Sequence, residues 1–275
     1  MSRKILVCTG LSVLLLLYFI APTVGCVGAR PMAMGGAFIG VADDINALYW
    51  NSSGLARLTS IQSTYTRTLG TSRANINYDD FAGVAGPLPL EAGEIDLVYG
   101  VSYIKSSTAI WDYDKVGLTL AAGFGDFALG YNINYMDAEA GGNSDDDVGV
   151  DLSFTYWFDE RITFGVLIQD FIQTEVFNTE FIRNVRPGAS YRLTEDILIS
   201  AEIYALNEVD FREYQFGIEY RMPAYQEVTL RAGNYQGAFK TFGVGLLVTE
   251  NVSVDLAYLD DNNNQIRQLG ISAFF

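Results

Sequence analysis

The sequence predicts an all-β protein: a transmembrane antiparallel β-barrel of about fourteen strands, with an N-terminal luminal hatch containing a short helix. Three observations point to it. Nearly every segment after residue 60 alternates apolar and polar residues with period two. The connections between these segments alternate in length, and the chain opens on an apparent export signal.

The first element is the signal, expected over 1–26. Arg3 and Lys4 form a basic head, residues 5–20 an apolar run, and Ala21-Pro22 a break. A spanning anchor is the alternative, because the run approaches the ~17-residue lower limit for a membrane helix. Thr9, Gly10 and Ser12 interrupt the run and favour the signal. Thr23-Val24-Gly25-Cys26 is a loose lipobox in which Cys26 would be lipidated, while ordinary cleavage between 25 and 29 serves equally well.

Composition removes several function classes. The only cysteines are Cys8 and Cys26, so no disulfide framework can form after export. The chain has no histidine, which removes Ser-His-Asp and Cys-His nucleophile arrangements and the commonest metal ligand. Neither an enzyme nor a cofactor or metal site is expected. The net charge of −16 moves nearer −18 once Arg3 and Lys4 leave with the signal, and such a surface repels nucleic acid. With 49% hydrophobic residues the chain is too apolar to be a solvated tail, and its 17 Tyr and 17 Phe need an apolar environment.

Residues 60–275 form the predicted barrel. In 211–222, Tyr214, Phe216, Ile218, Tyr220 and Met222 share one face, and Glu213, Gln215, Gly217, Glu219 and Arg221 the other. Residues 127–135 and 148–156 alternate in the same way. The segments lie near 60–68, 76–85, 94–104, 113–122, 126–136, 147–158, 161–170, 183–193, 197–206, 211–222, 227–234, 238–248, 251–259 and 265–275. Each approaches the ~9–11 residues of a tilted membrane strand. A soluble β-sandwich would also alternate. Here, however, the apolar face carries Tyr and Phe out to the strand ends, like an interfacial girdle. The other face carries Asp151, Arg186, Arg192, Glu202, Glu213, Glu219, Arg221, Arg231 and Asp255, which reads as a wet, ion-paired lumen.

Connections at 123–125, 159–160, 194–196, 223–226 and 249–250 are short. Those at 105–112, 137–146, 171–182, 207–210 and 260–264 are longer and polar, as expected of periplasmic turns and outer loops of a bacterial outer-membrane barrel. An even strand count places both termini on the periplasmic side. Leu269, Ile271, Ala273 and Phe275 share a face, and a terminal aromatic such as Phe275 is the feature the β-barrel assembly machinery reads.

Residues 27–59 precede the first strand and are too glycine-rich for one helix and too apolar for a linker. Asp43 or Asp44 is expected to cap a short helix over 44–50, with Ile45, Leu48 and Tyr49 on one face and Gly54 at its exit. Gly35-Gly36 permits the tight backbone needed against a wall. Asp43 and Asp44 need partners, for which luminal Arg186, Arg192, Arg221 or Arg231 are available. The segment reads as a plug.

The same block resembles the amino-terminal signature of the FadL/PorV-like outer-membrane proteins. The matching residues are Gly28-Ala29-Arg30, Met34-Gly35-Gly36-Ala37-Phe38, Val41-Ala42-Asp43-Asp44, Ala47, Trp50-Asn51 and Gly54-Leu55-Ala56. Ser52-Ser53 stand where the family usually has Pro-Ala, which should loosen the turn after Trp50. The later stretches 187–193 and 217–221 are also similar. The resemblance implies a fourteen-stranded barrel with an amino-terminal hatch. In the FadL branch such a barrel passes small hydrophobic molecules through the outer membrane; in the PorV branch it serves as an accessory of a protein secretion system. A structural barrel without transport is the further alternative. The partners implied are outer-membrane lipid, a hydrophobic small-molecule substrate or secretion-system proteins.

With about 215 residues for fourteen strands, little chain remains for loops. The candidate ligand loop is 171–182, where Phe171, Ile172, Val176, Phe177 and Phe181 exceed what a solvated loop requires; an extension of the flanking strands explains them equally well. Asp145-Asp146-Asp147 lack calcium-loop spacing and read as a solvated acidic loop.

Overall fold

A computed structural model describes residues 27–71, 78–89, 95–107, 112–208, 213–261 and 265–275. The signal and the lipobox at Cys26 fall outside the described residues. The chain begins with helix α1 (Ala29–Ala33), helix α2 (Ala47–Trp50) and a 3-10 helix (Ser52–Arg57). Strands follow in the order β1 (Gln62–Thr71), β2 (Tyr78–Pro87), β3 (Asp96–Ser107), β4 (Asp112–Phe124), β5 (Phe127–Ala140), β6 (Asn143–Trp157) and β7 (Ile162–Ile172). A small hairpin comes next, β8 (Glu175–Val176) and β9 (Thr179–Glu180). The remaining strands are β10 (Asn184–Arg192), β11 (Ile197–Tyr204), β12 (Glu213–Met222), β13 (Tyr225–Tyr235), β14 (Phe239–Thr249), β15 (Val252–Asp260) and β16 (Gln265–Phe274).

All strands except β8 and β9 join one closed antiparallel barrel of 14 strands, sealed where β1 meets β16 with Thr64 opposite Ser272. Closure removes the free sheet edges that a membrane-spanning sheet cannot leave unpaired. Each predicted strand is present, with ends shifted by a few residues. We call the rim where β1 begins and β16 ends the near rim, and the opposite one the far rim.

The pleat sorts side chains as period two requires. On β5, Phe127, Leu129, Tyr131, Ile133 and Tyr135 are exposed outward, while Ala128, Gly130, Asn132, Asn134, Met136 and Ala138 are buried inward. Neighbouring strands continue the outer band with Tyr103, Leu118, Leu120, Phe154 and Tyr156. The inside is mixed but rich in polar groups: Thr64, Thr66, Ser102, Thr119, Ser153, Thr155, Ser200 and Gln268 are buried there. Apolar outside and polar inside is the polarity of a barrel whose solvent is lipid. Replacing the outward Leu118 by Arg is therefore expected to cost about 2–4 kcal/mol if it lies near the bilayer midplane. Melting of L118R within error of L118A in bilayer discs would contradict a lipid-facing exterior.

One loop reading requires correction. Residues 137–146 are not a long loop, because β5 and β6 run on to Ala140 and Asn143 around a tight turn at Gly141 and Gly142. Both glycines have positive φ, 58° and 82°, as a two-residue hairpin turn demands. The acidic residues there signalled solvent rather than irregular backbone. Asp145 and Asp147 are also more than a solvated acidic run. Their carboxylates accept hydrogen bonds from Phe177 N at 2.6 Å and Glu175 N at 2.7 Å, which ties the β8–β9 hairpin to the far end of β6.

Candidate functional site

Residues 27–58 lie inside the barrel, packed against its inner wall. Their buried apolar side chains divide between two clusters. One gathers Met32, Met34, Phe38, Ile39 and Trp50 against Leu167, Leu198, Leu259 and Ile266 of the wall. The other gathers Val27, Ile45, Leu48 and Leu55 against Phe81, Val98, Ala121 and Ala128. Among the described residues, no backbone–backbone hydrogen bond joins residues 27–58 to a strand. The wall instead binds the hatch backbone with side chains.

Those side chains come from strands all around the barrel. Gln62 Oε1 accepts from Ile45 N at 3.1 Å, and Asn132 Nδ2 donates to Leu48 O at 3.0 Å. Ser153 Oγ accepts from Ser53 N at 2.9 Å, Ser190 Oγ donates to Gly40 O at 2.7 Å, and Thr241 Oγ1 donates to Ala33 O at 2.9 Å. Glu202 Oε2 accepts from both Phe38 N and Ile39 N. The buried Arg186 guanidinium donates to the other oxygen of Glu202 and lies over the Trp50 ring, 4.9 Å from its centroid. These bonds satisfy hatch backbone groups that a buried irregular segment would otherwise leave unpaired.

Close approach is made possible by glycine on both sides. A Cβ on Gly35, whose φ is +67°, would fall 2.5 Å from Asn234 N and 2.6 Å from Phe216 O. A Cβ on Gly233 would fall 2.5 Å from Gly35 N, and those on Gly130, Gly165, Gly217 and Gly243 would each collide with a hatch atom. The predicted role of Gly35 as a wall-contact glycine thus has a matching set of wall glycines.

A charge network secures the other end. Arg30, on α1, donates to Asp43 Oδ1 at 2.6 Å, Asp44 Oδ2 at 2.7 Å and, with two nitrogens, to Glu219 on β12 at 2.9 and 3.1 Å. Glu219 also accepts from Arg231 at 2.6 Å, and Arg231 reaches Asp255 at 2.6 Å. Burial opposes the Arg30 charge, yet Asp43, Glu219 and Asp44 outweigh it and hold its pKa well above the ordinary value. Asp44 has a second task, accepting from Asn46 N at 2.8 Å in the turn before α2.

Several sequence expectations change here. The partner of Asp43 and Asp44 is the hatch's own Arg30, not Arg186, Arg192, Arg221 or Arg231. Arg231 joins only through Glu219, Arg186 serves Glu202, and Arg192 and Arg221 sit at the near rim, Arg221 exposed. The helix expected over 44–50 is shorter, Ala47–Trp50, and has no side-chain cap on its Asn46. Gly54 falls inside the 3-10 helix rather than at an exit. Ser52-Ser53 do not loosen the turn, since both hydroxyls bond to the wall, at Ser153 and Thr155, at 2.9 and 2.8 Å. Asn51 and Trp50 hold the turn as well: Asn51 Nδ2 donates to Ile39 O at 2.7 Å and Trp50 Nε1 to Val27 O at 2.8 Å. Asp151 faces inward but away from the hatch, binding Asn134 and the Asp170 backbone. Glu213 is half-buried on β12 toward the far rim.

The candidate ligand loop divides. Phe171 and Ile172 belong to the end of β7 and are exposed, as the strand-extension reading expects. Val176 is fully buried with Met136 and Ala138, and Phe177 and Phe181 pack against them. What sequence reading missed were the uncharged wall anchors Gln62, Asn132, Ser153, Thr155, Ser190 and Thr241. Their inward parity was legible, but nothing distinguished a hydroxyl that meets the hatch from one that meets water.

No family model matches the chain, and no curated protein matches it. Solved structures do. The chain is similar to the monoaromatic hydrocarbon channel CymD, at 11% identity over 90% of this chain and 97% of that one, with a TM-score of 0.64. A Pseudomonas aeruginosa FadL homologue matches at 10% identity over 93% and 99%, TM-score 0.58. The Pseudomonas putida toluene transporter TodX matches at 12% identity over 91% and 97%, TM-score 0.57. The fold is that of the FadL-like outer-membrane barrels.

Proposed function

We propose that the chain is a bacterial outer-membrane channel for small apolar molecules, with residues 27–59 as its gate. The observation that carries this reading is a segment inside the barrel that belongs to no strand and that, among the described residues, is bonded to the wall through side chains rather than backbone. Withdrawing such a segment breaks polar and packing contacts but no sheet ladder, so the barrel survives the opening. Its fold, shared with hydrocarbon channels, and its apolar exterior support the same reading. In this arrangement the near rim and both termini are periplasmic, and lipid covers the Tyr and Phe band. Phe275, exposed beside the near rim, is presented to the assembly machinery.

The test is to lock the gate. A Cβ on Gly270 would lie 3.2 Å from that of Ala29, close to the separation a disulfide spans. The double variant A29C/G270C, in a C26S background, is expected to abolish uptake of toluene by outer-membrane-intact cells when oxidised and to recover it on reduction. Uptake that ignores the crosslink would dismiss the hatch as gate, and no uptake by the unmodified protein would dismiss the channel. The dense bonding of the hatch favours one second reading, an accessory or structural barrel that never opens. Stoichiometric co-purification of large secretion subunits, without toluene uptake, would support it.

A further inference from the structure

Among the described residues, the closed barrel leaves one fully buried side chain unserved at both of its polar ends. Gln215, on β12, is 0% exposed, and neither its Nε2 nor its Oε1 has a hydrogen-bond partner. Its β11 neighbour Glu202 is already occupied by Arg186 and by the hatch N–H groups of Phe38 and Ile39. What covers Gln215 is the hatch itself. A Cβ on Gly36 would lie 3.0 Å from Gln215 Oε1 and 2.7 Å from the Tyr235 ring. The turn at Gly35 and Gly36 is thus a lid of bare backbone over an amide and an aromatic ring.

The surroundings define what would suit that amide. Toward the far rim on the same inward face is Glu213, whose Oε2 is also buried without a partner, opposite Tyr204 on β11. The Tyr235 ring has Phe239 beside it, at 6.3 Å between centroids. Among the described residues Glu213 makes no ion pair, whereas Glu202 is neutralised by Arg186. Among the described residues the Glu213 carboxylate is thus left uncompensated, and it disfavours an anionic ligand. An amide offers one donor and one acceptor side by side, which a neutral hydroxyl matches, and the rings offer an apolar slot.

We propose that Gln215 is the polar end of a binding site for a small neutral hydroxylated aromatic molecule, uncovered when the Gly35–Gly36 turn withdraws. This inference rests on the channel reading and narrows its substrate class from hydrocarbons to phenols. It also supplies a reason for opening. The closed state leaves Gln215 unsatisfied, so a ligand that satisfies it binds the withdrawn state preferentially and shifts the population toward it. Phenol stays neutral at pH 7, like a tyrosine side chain, and benzoate does not.

The experiment is calorimetric titration of the full protein in bilayer discs with phenol, toluene and benzoate, alongside toluene uptake by cells. Phenol is expected to bind about tenfold more tightly than toluene, as two net hydrogen bonds allow, and benzoate more weakly than phenol. Gln215→Leu should abolish the phenol advantage, leave toluene affinity within about twofold, and raise the melting temperature by removing the unsatisfied amide. Gln215→Met, which keeps the length of the side chain but loses both donor and acceptor, should also lose the phenol advantage and guards against a misfolded Leu variant. Equal affinity for phenol and toluene, or a phenol preference that survives in Q215L, would overturn the site while toluene uptake leaves the channel standing. Failure of both phenol and toluene to bind and to enter cells would remove the channel and this site together.

Discussion

Glu202→Ala is expected to be the most destabilising single substitution in the barrel wall, lowering stability by about 3–5 kcal/mol. The reason is that one carboxylate has two clients. It neutralises Arg186, which is itself buried, and it accepts from two hatch N–H groups at 3.1 and 3.2 Å. Removing it strands a buried guanidinium and orphans both donors. The companion variant Arg186→Met/Glu202→Ala separates the two terms, because the stranded charge is then gone and only the hatch bonds are lost. Melting of the single and double variants in micelles should place the double between E202A and the unmodified protein. A double variant no more stable than E202A would mean that the ion pair contributes nothing. One equal to the unmodified protein would mean that Glu202 does not hold the hatch.

Arg30→Met should follow with a loss of about 2–3 kcal/mol, smaller because Asp43 is partly exposed and water screens its share. Its effect on permeability should be larger than its effect on stability. Among the described residues, Arg30 alone ties both hatch aspartates to the wall, through Glu219. Without it three carboxylates face one another, and repulsion pushes the Asp43–Asp44 turn away from β12. Entry of small polar antibiotics into cells should rise several-fold. Arg30→Lys, which keeps the charge but cannot form the paired bonds to Glu219, should fall between. If R30M leaks no more than the unmodified protein, the network is scaffolding and not a latch.

Much of this molecule was legible before any coordinates. Period two in segments such as 127–135 placed the strands because a pleat leaves a side chain no choice but to alternate, and one face of each strand meets lipid. The same parity put Glu202, Glu219, Arg186 and Arg231 inside. The far-rim turn at Gly141-Gly142 was misjudged for a physical reason. At this end the outward face turns from apolar to acidic, so Asp137, Glu139 and Asp146 carry the composition of a loop on the geometry of a hairpin.

The hatch divides the same way. Its glycines, its apolar residues and its position before β1 pointed to a buried segment beside the lumen, and the structure packs it against the inner wall. Which charge meets which was decided only by the tertiary structure. Asp43 and Asp44 lie 13 and 14 residues from Arg30, a separation that local propensity does not register, and Glu219 lies 189 residues away. Sequence sets the face on which a side chain projects. Its height along the lumen, and therefore its partner, follows from strand register and from the path of an irregular segment, and both exist only once the barrel has closed.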